Sequence, residues 1–208
     1  MRLYHIDRMN KLKSGDIIKL NLFNDIKGID NEHTMRLKST INSMFEEGIS
    51  YHGARYLFSN IYNKIEEAYK IKEENIMEVK QYCINQLKNI NSEFIEIIFE
   101  MVRNTKYNNC VSRFEAFFAT DKESIVKMCE ELNVRIEDAR IFEIECDGNQ
   151  VKYDMKLLRG VDKLDMLVNC DLYWSRERSI SPIYEYLLKP PIKIGRLVTI
   201  NEIFNEEQ

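Results

Sequence analysis

Apolar positions open the chain as a short β-like run, Leu3-Tyr4-His5-Ile6. A polar turn around Ser14-Gly15-Asp16 separates it from a second run, Ile17-Ile18-Lys19-Leu20. From Asp30 the period lengthens: Met35, Leu37, Ile41, Met44 and Phe45 recur at roughly helical spacing, and Gly48 stands where a C-capping glycine belongs. Between Tyr51 and Arg103 the pattern is mainly helical. One stripe holds Tyr56, Leu57, Ile61, Ile65 and Tyr69, and a second holds Ile76, Val79, Tyr82, Cys83 and Leu87. A third, Phe94, Ile95, Ile97, Ile98, Phe99 and Val102, is too densely apolar to face water. Asn91 or Ser92 can cap that last helix, and no proline before Pro182 forbids any of them.

The second half changes character. Phe114-Glu115-Ala116-Phe117-Phe118-Ala119 reads as a strand. Thr120 or Asp121 then caps a helix over Lys122–Leu132 with Ile125, Met128, Cys129 and Leu132 on one face. Ala139 to Cys146 alternates as a strand, Asp147-Gly148-Asn149 carries a hairpin-turn signal, and Val151-Tyr153-Met155 returns from it. A short helix over Asp162–Tyr173 and a polar loop, Ser175–Pro182, precede a strand over Ile183–Leu188. Pro190-Pro191 breaks that strand before a last one, Ile192–Ile200. Strands at the start and in the second half, with helices between, predict an α+β fold. No repeat, low-complexity tract or linker divides residues 1–208, so one domain is expected.

Composition narrows the setting. The 208 residues are 44% hydrophobic and 31% charged, enough apolar matter for a core under a well-solvated helical surface. The formal charge of −4 disfavours an obligatory nucleic-acid scaffold, since proteins that neutralise phosphates are usually basic. A local basic patch stays open, and Arg176, Arg178, Lys189, Lys193 and Arg196 recur towards the C-terminal end. Five cysteines at wide spacing, with no CxxC pair, read as reduced thiols and point to a cytoplasmic location. The first residues lack the apolar segment of a secretory signal, and no apolar run approaches the ~18 residues of a membrane span.

Familiar catalytic motifs are missing: no GxGxxG, P-loop, GxSxG, HExxH or metal-spaced cluster occurs, and only His5, His33 and His52 are histidines. Three islands stand out: Leu-Tyr-His-Ile at 3–6, Ser112-Arg113-Phe114-Glu115-Ala116-Phe117-Phe118-Ala119, and Ile183-Tyr184-Glu185-Tyr186-Leu187-Leu188. Singly they have ordinary readings. Glu185 is an edge-strand carboxylate, Phe117 and Phe118 are core aromatics, and His5 is a structural histidine.

Their order resembles the ADP-ribosyltransferase superfamily in its His-Tyr-Glu branch. Tyr4-His5 matches the first element, Phe117-Phe118-Ala119 running into a helix matches the aromatic element, and Glu185 in Glu-Tyr-Leu-Leu matches the catalytic acid. The chain also looks like an uncharacterised bacterial family grouped with these enzymes, through Leu-Tyr-His, Ser-Tyr-His-Gly-Ala-Arg-Tyr at 50–56 and Ser-Arg-x-x-x-Phe-Phe-Ala. The resemblance implies a split β-sheet core with a helical insertion at about 30–105. It implies NAD as co-substrate and transfer of ADP-ribose to a macromolecular acceptor, protein or nucleic acid, as in a toxin or defence effector.

In that scheme Glu185 is catalytic, offsetting positive charge that builds on the ribose. His5, with Tyr4 beside it, orients NAD. Phe117 or Phe118 stacks on the nicotinamide ring. Arg113, supported by Ser112, contacts phosphate or ribose. The scheme requires His5, Phe117 or Phe118, and Glu185 to line one cleft. Phe replaces the usual Tyr, and Ile183 lies where arginine-directed enzymes carry a second acid, which argues against arginine as acceptor. The rivals are a catalytically degenerate member that binds a nucleotide or a partner protein, and a phosphotransferase of the tRNA 2′-phosphate type.

Overall fold

The run Leu3–Ile6 forms β1, and three of its four residues are buried because the strand lies inside the sheet with neighbours on both edges. A computed structural model describes residues 2–22, 39–57, 92, 94–146, 150–160 and 163–205. Six further strands follow: β2 (Ile17–Ile18), β3 (Phe117–Thr120), β4 (Ile141–Glu145), β5 (Lys152–Asp154), β6 (Tyr184–Leu188) and β7 (Ile192–Val198). They make one antiparallel sheet in the order β2-β7-β4-β1-β3-β6-β5. Six helices are seen among the described residues: α1 (39–44), α2 (Tyr51–Leu57), α3 (94–106), α4 (Ile125–Glu131), α5 (Lys163–Trp174) and α6 (Ile200–Asn205). The fold is mixed α and β, and none of these helices is long and apolar enough to cross a membrane.

Alternation sorts the strand residues onto two faces. Leu3, Ala119, Phe142, Ile144, Tyr186, Leu188 and Ile194 pack together on one face. On the other, Tyr4, Ile6, Ile141 and Ile183 meet α4 through Ile125 and Met128. Farther along that second face, Tyr153 and Leu187 meet Phe99 of α3 and Cys170, Tyr173 and Trp174 of α5. The Trp174 indole donates to the Phe99 carbonyl at 2.8 Å, tying α5 to α3.

The strands on either side of Asp147-Gly148-Asn149 do not pair with each other as the expected hairpin requires. Those three residues lie outside the described ones, but the strands on either side are placed. β4 is paired on both edges, with β1 and β7, and β5 pairs with β6 at the far side of the sheet. A strand with both ladders occupied has no edge left for its neighbour in sequence. The last predicted strand is also shorter. It ends at Val198, and a helix begins at Ile200 with Thr199 and Glu202 as a capping box. The helix expected over Lys122–Leu132 starts at Ile125 with Ser124, not Thr120 or Asp121, at the N-cap position and no side-chain capping bond; in the turn before it the Asp121 carboxylate accepts from the Ser124 amide at 2.8 Å.

Parts of the stretch 30–105 pack into the core; 23–38, 58–91 and 93 lie outside the described residues, and with them the stripes over Ile61–Leu87. Ile41, Phe45 and Ile49 pack on Phe114. Gly48 has φ +100°, and a Cβ there would lie 2.7 Å from the Asn21 carbonyl oxygen, so the turn onto the Asn21–Ile49 bridge needs glycine. Ser50 starts α2: its hydroxyl accepts from the Gly53 amide at 3.1 Å and donates to the Phe114 carbonyl at 3.0 Å. Gly53 then lies flat against that same backbone, where an added Cβ would sit 2.3 Å from the Phe114 oxygen. The Gly53→Ala substitution is expected to destabilise the fold by about 1–3 kcal/mol through this overlap. Urea denaturation checks it, and an unchanged midpoint would show that α2 is free to move off residue 114.

Candidate functional site

The three sequence islands lie on adjacent strands, β1, β3 and β6, with Tyr4, Thr120 and Glu185 in one row across them. β1 and β3 meet at a single register pair, Tyr4–Thr120, whereas β3 and β6 share four. At that narrow seam the His5 ring fills in for a backbone bond: Nδ1 donates to the Phe118 carbonyl at 2.7 Å, and the ring stands 4.3 Å from the Phe117 ring. Burial lowers the His5 pKa below its ordinary value, although the bond to Phe118 opposes this. The neutral Nδ1–H form fits that geometry.

The register also separates what the sequence reading had put in one cleft. His5 follows Tyr4 and turns to the Phe117 face, while Phe118 and Glu185 share the opposite face with Thr120. Tyr4 is itself buried against α4 among Ile125 and Met128. His5 with Phe117 therefore forms one aromatic pair, and Glu185 belongs to a different neighbourhood behind the sheet.

Arg113 defines that neighbourhood. It is 3% exposed, in a turn just before β3. Its Nε and Nη2 donate to the two oxygens of Glu96 from α3, each at 2.8 Å, in the bidentate form a guanidinium suits. Its Nη1 donates to the Tyr173 hydroxyl of α5 at 2.7 Å and to Oε1 of Glu185. The Tyr173 hydroxyl in turn donates to the same Glu185 oxygen at 2.7 Å, closing a triangle. The guanidinium also lies 4.8 Å from the centroid of the Phe118 ring. Glu185 is only 4% exposed.

Protonation follows from these contacts. Burial pushes the Glu96 carboxyl upward, but Arg113 and His52 outweigh it, so the group is held well below the usual carboxylate range. Burial also works against the Arg113 charge, yet Glu185 and Glu96 more than offset it and the guanidinium stays charged. Burial drives the Tyr173 hydroxyl well above its ordinary pKa, so it remains a donor.

Ser112 is engaged likewise. Its hydroxyl donates to Glu100 Oε2 at 2.9 Å and accepts from the Phe114 amide at 3.1 Å. Glu100 also takes three donor contacts from Arg103, the shortest 2.8 Å. Glu96 and Glu100, four residues apart, thus point one helix face at the Ser112-Arg113 dipeptide. Arg113, expected to contact phosphate or ribose with support from Ser112, is buried as Ser112 is, and the polar atoms of both already have protein partners.

The 50–56 island completes the surroundings. His52 lies over Phe118 with ring centroids 4.6 Å apart, and equally close to Tyr56. Its Nε2 sits 3.3 Å from Glu96 Oε1, too bent for a regular hydrogen bond but close enough for an ion contact. Ser50, His52 and Gly53 of that island therefore serve, in order, the cap, the charge cluster and the close approach to residue 114. A family described as "Protein of unknown function (DUF2441)" matches residues 3–204. The chain belongs to that family. No curated protein matches it. The family match spans all three islands and both ends of the 30–105 stretch, so the buried cluster lies wholly within it.

Glu96 and Tyr173 were not among the residues singled out from the sequence, and His52 was named only as a histidine within the 50–56 stretch. A signal existed for Glu96: an acid inside the densely apolar 94–102 stripe either breaks the core or meets a buried cation. Replacing Arg113 by Leu should cost about 3–5 kcal/mol, because Glu96 and Glu185 are then buried without their cation; chemical denaturation at pH 7 measures it. Glu96 has a folded pKa below its ordinary 4.5, so its contribution is complete above that pH and drains away as pH falls below it. Between pH 7 and pH 3 the wild type is expected to lose more stability than Glu96→Gln. Parallel pH profiles for the two would remove Glu96 from the account.

Proposed function

We propose that the chain is a nucleotide-binding domain on an ADP-ribosyltransferase-like split sheet, holding NAD without cleaving it. The observation that carries this reading is the condition of Glu185, whose Oε1 is held by Arg113 and Tyr173 on the sheet face away from His5. Breaking the nicotinamide–ribose bond needs a carboxylate aimed at the ribose as positive charge develops. Releasing Glu185 for that task would leave Arg113 buried with Glu96 alone among its carboxylates, a change in an ion cluster that costs several kcal/mol, on the order of 3–5. His5 and Phe117, half-buried and side by side at the seam, suit a planar ring. The residues present match a held nucleotide better than a cleaved one.

A second reading, an NAD-dependent ADP-ribosyltransferase with Glu185 catalytic and a protein or nucleic-acid acceptor, is favoured by one observation. The three islands, separate in sequence, fall on neighbouring strands, β1, β3 and β6. Ile183, buried against α4, supplies no second acid, which supports an acceptor other than arginine. Cys110, Cys129 and Cys170 are free thiols, which supports a reducing, cytoplasmic setting for either reading.

Calorimetric titration with NAD, alongside an assay of nicotinamide release, separates the two. Binding without release is the expected result, with Glu185→Gln lowering stability rather than an activity. Release by the wild type that falls about 100-fold or more in Glu185→Gln would replace the first reading by the second. Absence of any NAD binding would remove both.

A further inference from the structure

Two rigid carriers bring cations to the rim beside His52 and Phe118. The first is the loop after β1. The buried Asp7 carboxylate accepts from the Met9 amide at 3.1 Å and the Leu12 amide at 3.0 Å, and Arg140 donates to the Leu12 carbonyl at 2.9 Å. This fixes the loop that carries exposed Arg8 and Lys11. The second is α2, pinned by Ser50 and Gly53, which carries exposed Tyr51 and Arg55 with half-buried Tyr56.

The carriers meet. Lys11 Nζ lies 5.8 Å from the centre of the Tyr51 ring, and that ring is 59% exposed. The Arg55 guanidinium lies 5.8 Å from the Tyr56 ring, whose other neighbour is His52. Burial, with Glu96, raises the Tyr56 hydroxyl pKa against the opposing charges of Arg55, Arg113 and Arg8. Among the described residues, none of Arg8, Lys11 and Arg55 is within ion-pair distance of a carboxylate. Lys106, Lys156, Lys193 and Arg196 each hold one.

We propose that Arg8, Lys11 and Arg55, with the rings of Tyr51 and Tyr56, bind the phosphates and base of a small nucleotide. This rests on the nucleotide-binding reading and gives it a recognition surface in place of Ser112 and Arg113. Cations held on fixed backbone, two of them guanidinium forks, suit a diphosphate, and an exposed Tyr beside Lys offers a flat face for a base. The net charge of −4 repels a long polyanion, so the surface favours a short phosphorylated ligand over a nucleic-acid strand.

The test titrates the full chain with ADP, adenosine and NAD at low and moderate salt. ADP is expected to bind at least about tenfold more tightly than adenosine, as charge-assisted phosphate contacts require. The triple variant Arg8→Gln, Lys11→Gln, Arg55→Gln should lose at least about tenfold in ADP affinity, along with most of the salt dependence. The control pair Lys127→Gln, Arg178→Gln changes exposed charges elsewhere and should leave both unchanged. Thermal unfolding confirms that the exposed-site variants are folded. Equal ADP affinity in wild type and triple variant, or equal binding of ADP and adenosine, overturns the proposal. If the triple variant keeps full NAD affinity, the surface falls and the NAD reading stands. If ADP binds and NAD does not, the surface stands and the NAD reading falls. A chain that binds none of the three ligands loses both.

Discussion

A guanidinium buried to 3% exposure between a sheet and two helices is tolerable only if its hydrogen bonds and charge are answered, and Arg113 imposes that condition on its whole neighbourhood. It takes Glu96 from α3, Tyr173 from α5, Glu185 from β6 and the ring of Phe118 from β3. Two carboxyl groups face the one guanidinium. The Tyr173 hydroxyl donates to Glu185, and the His52 imidazole lies 3.3 Å from Glu96. The helices on this face cannot shift independently, because each supplies part of one solution to the same charge.

That constraint shapes the functional reading. Arginine, serine and glutamate in the islands look like ligand-binding chemistry when considered as residue types. In the fold they answer one another; His5 and Phe117 are half-buried at the seam, and the rim around α2 carries the exposed groups. The glycine-bearing island at 50–56 links the two regions, since its His52 touches the buried cluster while its Tyr51 and Arg55 face solvent. A ligand at the rim would therefore sit one aromatic layer, His52 and Phe118, away from Arg113.

Much of the local structure was legible in the sequence. β1, β4 and β6, together with α5, fall within a residue or two of where period and turn residues put them. Thr199 and Glu202 carried a readable capping signal that outweighs the extended character of the residues before them. The expected pairing of β4 with β5 is not made, for a non-local reason. Turn chemistry states a preference, but β4 was already paired on both edges, and a pairing made with β1 and β7 outcompetes a turn.

By itself the sequence determined the α+β class, the strand runs and the three islands, because period, caps and breakers act over a few residues. Only the tertiary structure decided which strands adjoin, that His5 and Glu185 lie on opposite faces, and that Arg113 is held by Glu96 and Glu185. The physical reason is one of range. Alternation orders the side chains within a strand, but register between strands and the pairing of buried charges arise from contacts between residues far apart along the chain.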